Sequence, residues 1–296
     1  MNSYYEIVRN DPTIIKIYNE IKEYEERENE RAYHDYTHVT NVANTVKQML
    51  QALKYDESFI DEAQVAAILH DTGCTKGKEE HEIRSFEFAK EYSEKNNIKL
   101  ENRDKVLEAI KNHRNGFDTD NIITLTLVLA DKLDIKKTRV TAEGCNVIGN
   151  RQYQYINDIN LEIDKEELKV YFDCDEKINL PELEEYYFTE KVFKAVRSFS
   201  KKMHLQPEVF LNNEKWTAFY RSKWEKYYNS TNLKKVLVKW MLIVYNLRVH
   251  KEKCIKNKKK AKNITKVESC IIREEIQNEK KRKRCNRCGC KGEREN

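Results

Sequence analysis

Seven glycines and three prolines in 296 residues leave this chain few places to break. Turns that need a left-handed or pre-set backbone are therefore scarce, and a topology with many tight turns is disfavoured against long helices. The apolar pattern agrees. Val39, Val42, Ala43, Val46, Met49, Leu50 and Leu53 recur at three- and four-residue spacing, the signature of one buried helix face. Phe59, Ile60, Ala63, Ala66, Ala67 and Leu69 repeat in the same way up to His70. Phe86, Phe88, Ala89 and Tyr92 predict a third helix, and Val106, Ala109 and Ile110 a fourth that ends near His113. The run 122–130 is apolar and rich in β-branched residues, but the Ala-Asp-Lys-Leu-Asp at its end favours a buried helix over a strand. Residues 1–140 thus read as a helical domain.

The period then changes. Ile159, Leu161 and Ile163 alternate, as do Leu168, Val170 and Phe172, which predicts a hairpin over 153–174 with the polar stretch 164–167 as a four-residue connection. Pro181 suits the first turn of a helix, where its missing N–H costs nothing. Phe188, Val192, Val196, Phe199 and Met203 supply the buried stripe of that helix, expected over 181–203. Residues 141–220 are expected to form a small α+β extension on a mainly α fold.

Charge divides the chain once more. Residues 221–296 hold 24 Lys plus Arg against 8 Asp plus Glu, whereas residues 1–220 hold 31 against 42. An acidic body with a basic tail is not the footprint of a uniformly basic nucleic-acid binder, so weak polyanion affinity is expected only of the tail. Leu237, Met241 and Val244 could continue a helix there, but beyond Lys251 apolar residues nearly vanish, which predicts disorder. Cys285, Cys288 and Cys290, with Cys254 and Cys270 upstream, offer one close pair, half of a structural zinc site; incidental cysteines in a basic tail are the plainer reading. The first residues lack a secretory pattern, and the longest uncharged apolar run, Trp240–Leu247, is far shorter than the ~20 residues of a membrane helix. The expectation is a cytoplasmic protein without a membrane partner.

Chemistry concentrates in the helical part. Five of the seven histidines lie within 80 consecutive residues. In chain order the candidates are His38, the adjacent pair His70–Asp71, His81, His113 and Asp131, each near an end of an expected helix. A lone histidine is most often a surface or satisfied core residue; it is the joint occurrence that points to a metal. Imidazoles and carboxylates suit divalent first-row metals. Neighbours on a regular helix point ~100° apart, so His70 and Asp71 can share an ion only if the helix stops there, and Thr72–Gly73 supplies the stop.

These residues resemble the pattern of the HD-domain metal-dependent phosphohydrolases: a His, then His-Asp, then a distant Asp. It falls on His38 in Tyr-His-Asp-Tyr-Thr-His-Val, on His70–Asp71 in Ala-Ile-Leu-His-Asp-Thr-Gly, and on Asp131 in Leu-Ala-Asp-Lys-Leu-Asp. The additional His81 and His113 are similar to the version of the family that holds two metals. The resemblance spans about residues 30–140 and implies an HD-type helical bundle, with flanks similar to uncharacterised bacterial members. It also implies one or two divalent ions, Mn or Fe foremost and Zn, Mg or Co as alternatives. Related phosphodiesterases place a general acid where His34 stands, one helical turn before His38; a loop histidine with local hydrogen bonds is the competing reading. The residues after His70–Asp71 are not those of the alarmone hydrolases, and His113-Arg-Asn-Gly-Phe is not the signature of the cyclic dinucleotide branch. Single His81 and His113 look closest to enzymes that cut diadenosine polyphosphates.

Two cations bridged by Asp71 would lower the pKa of a shared water and polarise a phosphoryl oxygen. Asp71, His34 and Lys132 are thus the expected catalytic residues, on a small phosphorylated substrate of nucleotide type. Lys76 and Lys78 read better as solvated surface. Two further readings stay open: a nucleotide-sensing module without turnover, and nucleic-acid binding through the tail. Oligomeric state is not legible.

Overall fold

Short polar residues open most of the helices of the computed structural model, which describes residues 3–221. Ser3 caps α1 (Tyr4–Arg9), Asp11 caps α2 (Pro12–Arg27), Asp35 caps α3 (Tyr36–Ala52) and Asp56 caps α4 (Glu57–Leu69), each accepting from an amide two or three residues on. α5 (His81–Lys95) and α6 (Arg103–Asn112) follow, and then α7 (Ile122–Leu133). The apolar run before Asp131 is a helix, as its Ala-Asp-Lys-Leu-Asp ending suggested. Asn121 accepts from the amides of Ile123 and Thr124 and starts the helix where the β-branched residues alone would have favoured a strand. In α4 every residue from Ala63 to Leu69 is buried, and in α7 every residue from Ile123 to Leu133, so these two helices form the centre.

The extension begins with β1 (Ile156–Asp164) and β2 (Glu167–Cys174), which pair antiparallel with Leu161 opposite Val170. The ladder continues to Asp164–Glu167, so the connection is two residues, Lys165 and Glu166, not four. Lys165 takes φ 50°, and that left-handed residue closes the tighter turn. The single helix expected over 181–203 is two: α8 (Leu180–Glu185) and α9 (Tyr187–Lys202). Tyr186 between them is extended, at φ −68° and ψ 127°. Its ring lies over Gly149, where a methyl group would overlap it, and Gly149 itself needs φ 82°. That tertiary contact outweighs the local helical pattern. A strand without a sequence-based expectation, β3 (Gln206–Leu211), returns parallel to β2 after the α8–α9 crossover, and the short β4 (Glu214–Lys215) completes a sheet of order β1-β2-β3-β4. α10 (Thr217–Arg221) follows.

Helical part and extension share one hydrophobic core, and the described residues fall within one compact unit. Gln48 of α3 donates to the Leu161 carbonyl at 2.8 Å, and Ser198 of α9 donates to the carbonyl of Phe117. No helix among the described residues is long and apolar enough to cross a membrane. The expectations for Leu237, Met241, Val244 and for Cys254, Cys270, Cys285, Cys288 and Cys290 lie outside the described residues.

Candidate metal centre

His70 sits where α4 stops. Its backbone is still helical, whereas Asp71 turns to φ −110° and the chain tightens into a short 3-10 turn over Thr72–Cys74. Tyr18, fully buried, donates its hydroxyl to the Ile68 carbonyl and ties the last turn of α4 to α2. Gly73 has a role different from the helix-ending one expected of it, since its φ is not left-handed. A methyl group there would overlap the His81 carbonyl oxygen and lie 2.7 Å from the Ser85 amide nitrogen. Glycine is therefore required for α5 to approach. The Gly73 amide donates to Ser85 Oγ at 2.9 Å, and Arg84 Nε donates to the Gly73 carbonyl at 2.8 Å. This bolts the start of α5, and with it His81, opposite Asp71.

Asp71 is the hub. Its Oδ2 faces His70 Nε2 at 3.1 Å and His38 Nε2 at 3.3 Å, while its Oδ1 faces His81 Nε2 at 3.3 Å and His113 Nε2 at 3.4 Å. Two candidate ligand sets result, His38–His70–Asp71 and Asp71–His81–His113, each with ligand atoms within 4.8 Å of one another. All five residues are buried.

The outer ring nitrogens fix what the inner ones can do. His70 Nδ1 lies 2.7 Å from the Ala67 carbonyl, His81 Nδ1 2.9 Å from the Lys78 carbonyl and His113 Nδ1 2.7 Å from the Ile110 carbonyl. A carbonyl only accepts, so each Nδ1 carries a proton, and in its neutral form each ring turns an Nε2 lone pair inward. His38 is oriented instead by a carboxylate, Asp134 Oδ2, at 2.8 Å from its Nδ1. The inner atoms His38 Nε2, His70 Nε2 and both Asp71 oxygens are sealed from solvent without a hydrogen-bond partner, and His81 Nε2 and His113 Nε2 stand 2.9 Å apart. So many facing acceptors are unfavourable unless a cation draws them together. The donor set thus fits divalent metal. Burial would raise Asp71, but the surrounding imidazoles hold its carboxyl well below the usual range, so it is ionised and available.

Asp131, near the C-terminal end of α7, belongs to neither compact set. Its Oδ1 lies 3.4 Å from His38 Nε2, and its Oδ2 is drawn to the ammonium of Lys132. Although burial opposes it, the Lys132 charge and His38 keep Asp131 well below the carboxylate range.

His34 precedes α3 rather than belonging to it, so it does not stand one helical turn before His38 on a shared helix; the Asp35 cap starts the helix after it. It still reaches the centre from the loop, its ring 5.9 Å from that of His38 and 6.5 Å from that of His81. Glu25 holds it, accepting from the His34 amide at 2.7 Å and hydrogen-bonded to Nδ1. Burial pushes Glu25 up to about 7, and burial together with the charges of Arg139 and Lys78 pushes His34 well down. Lys76 is exposed, and Lys78 pairs with Glu30 at 3.1 Å.

Three residues of the centre escaped the sequence reading. Glu25 had a signal, an acid on the buried stripe Ile14, Tyr18, Ile21, Glu25 of α2. Asp134 had a weaker one, three residues past Asp131. Arg139 had none, because it reads as one more surface charge after Lys136 and Lys137.

A family model for the HD domain matches residues 35–136. The chain carries an HD domain. The match takes in His38, His70, Asp71, His81, His113, Asp131, Lys132 and Asp134, whereas Glu25, His34 and Arg139 lie beyond it. HD domains are metal-dependent hydrolase-type modules, generally phosphohydrolases, and the buried acceptors around Asp71 suit that chemistry. No curated protein matches the chain.

Proposed function

We propose that this chain is a phosphohydrolase that uses one or two divalent metals, Mn or Fe foremost, to cleave a phosphoester or phosphoanhydride bond of a nucleotide-type substrate in the cytoplasm. The observation that carries the reading is Asp71, which offers one buried oxygen to each of two histidine pairs. Divalent cations at these ligands supply Lewis acidity toward a phosphoryl oxygen and toward the attacking water. His38, His70, His81 and His113 hold them, each ring kept in one tautomer by its carbonyl or by Asp134. Asp131 adds a carboxylate beside His38, and Lys132 steadies it while offering further N–H groups to phosphate oxygen.

Glu25 and His34 provide the proton. With Glu25 protonated near neutral pH, its O–H donates to His34 Nδ1, and the neutral ring carries its own proton on Nε2. Nε2 gives that proton to the departing oxygen as Nδ1 takes the one from Glu25, so no charged imidazole is left behind. A panel of nucleotides and simple phosphoesters, assayed with Mn2+ before and after chelation, tests the reading. Phosphate release that stops on chelation and returns with metal is expected; release that survives chelation, or none on the whole panel, contradicts it.

A further inference from the structure

Arg139 is a buried cation at the centre whose Nη1 has no hydrogen-bond partner. Its side chain is 9% exposed. The nearest carboxylate oxygen, Asp131 Oδ1, is 3.9 Å from Nη2, too far for a hydrogen bond, and Nη1 is sealed from water without any partner. A guanidinium carries five N–H donors in a rigid fork, and leaving them unsatisfied in a buried place is strongly unfavourable. The backbone is nonetheless fixed. The Arg139 amide donates to the Lys136 carbonyl and its carbonyl accepts from the Tyr33 amide, both at 2.8 Å, beside a bridge between Ala32 and Val140. A held backbone with a sealed, unsatisfied Nη1 is the arrangement of a group waiting for a ligand. Donors of this shape match the oxygens of phosphate.

The location narrows the ligand. Lys132 covers Asp131 Oδ2 while Arg139 approaches Oδ1, and Oδ1 is also 3.4 Å from His38 Nε2. Arg139 therefore stands at the edge of the His38–His70–Asp71 set.

We propose that Arg139 makes this site selective for a terminal phosphate, a monoester or the end group of an anhydride, over a phosphodiester. The inference rests on the phosphohydrolase reading above. A phosphoryl group that engages both ligand sets through two non-bridging oxygens has a third to give Arg139 only if it is terminal. A diester has two, and would leave the buried guanidinium unpaired. The discrimination follows from the cost of that unpaired donor, as it does wherever a site built to hydrogen-bond one ligand meets an analogue lacking the group.

Calorimetric titration of the metal-loaded protein with inorganic phosphate and with dimethyl phosphate tests this without relying on turnover. The wild-type protein is expected to bind phosphate at least ~10-fold tighter than dimethyl phosphate, and R139Q is expected to lose most of that difference while keeping its bound metal. Equal affinities in the wild-type protein overturn the proposal even if R139Q does not fold. So does an R139Q protein that binds phosphate as the wild type does, or one that loses phosphate and metal together, since the residue would then be structural. Selective phosphate binding with no turnover of any ester would end the hydrolase reading and leave Arg139 in its role; turnover with the two anions bound alike would do the reverse.

Discussion

Around Asp71 the buried polar atoms are acceptors that lack donors: inward Nε2 lone pairs and two carboxylate oxygens. Around Asp131 the buried heads are donors, Lys132 on one oxygen and Arg139 near the other, with Arg139 Nη1 unsatisfied. The two regions are neighbours, since His38 Nε2 lies 3.3 Å from Asp71 and 3.4 Å from Asp131. An acceptor-rich pocket calls for cations and a donor-rich edge calls for an anion. A site with both poles suits a negatively charged substrate brought against bound metal, and this contrast is what the centre adds to its motif.

The sharpest way to break the contrast is at its hub. Asp71→Ala removes the oxygens common to both ligand sets, and is expected to strip bound metal and lower turnover by at least ~10³-fold. Metal analysis and steady-state rates check this, with circular dichroism showing the helical signal retained. Next comes Gly73→Ala, which attacks only the approach of α5. Overpacking of this kind costs about 1–3 kcal/mol, and here it pushes His81 away from Asp71. Denaturant unfolding measures the loss, and metal retention is expected to fall on the His81–His113 side while the His38–His70 side remains.

A smaller effect separates proton supply from metal holding. Glu25 rises from 4.5 to about 7 on folding because burial disfavours its charge. The folded state thus holds a proton that the unfolded state releases above 4.5. The associated stability is complete below 4.5 and is lost as pH rises through about 7. In metal-free protein, stability measured between these limits should fall less steeply with pH for Glu25→Gln than for the wild type, and the variant should keep its metal sites. A slope identical to that of the wild type would remove Glu25 from the account. The smallest effect lies far from both poles. Glu182 accepts from Gly149 at 2.7 Å and from Arg151 through two nitrogens at 2.9 and 2.7 Å, pinning the loop beneath Tyr186. Glu182→Gln is expected to cost about 1–2 kcal/mol in denaturant unfolding with metal content unchanged, which serves as the control for substitutions at the centre.

Most of the helical part was legible because its apolar residues keep the helical period from α3 to α7. The adjacent His70–Asp71 was informative for a related reason, since such neighbours can converge only where a helix ends. What the sequence concealed was set by contacts distant along the chain. The break at Tyr186 comes from a ring meeting Gly149. β3 opens with Gln206, Pro207 and Glu208, which leaves only Val209, Phe210 and Leu211 to suggest a strand, and it is one because β2 offers it a ladder. Arg139 illustrates the same limit at the site. Nothing local marks one arginine among lysines as buried, and only the packing of the loop after α7 against residues 31–33 puts it there.

The count of metal ions bound per chain tests the central claim most directly. Protein reconstituted with Mn2+ and freed of excess metal by gel filtration is expected to retain up to two equivalents, with His113→Ala lowering the count and Asp71→Ala abolishing it. Protein that emerges without metal, or retains as much in Asp71→Ala as in the wild type, would contradict the reading of Asp71 as the hub of the centre.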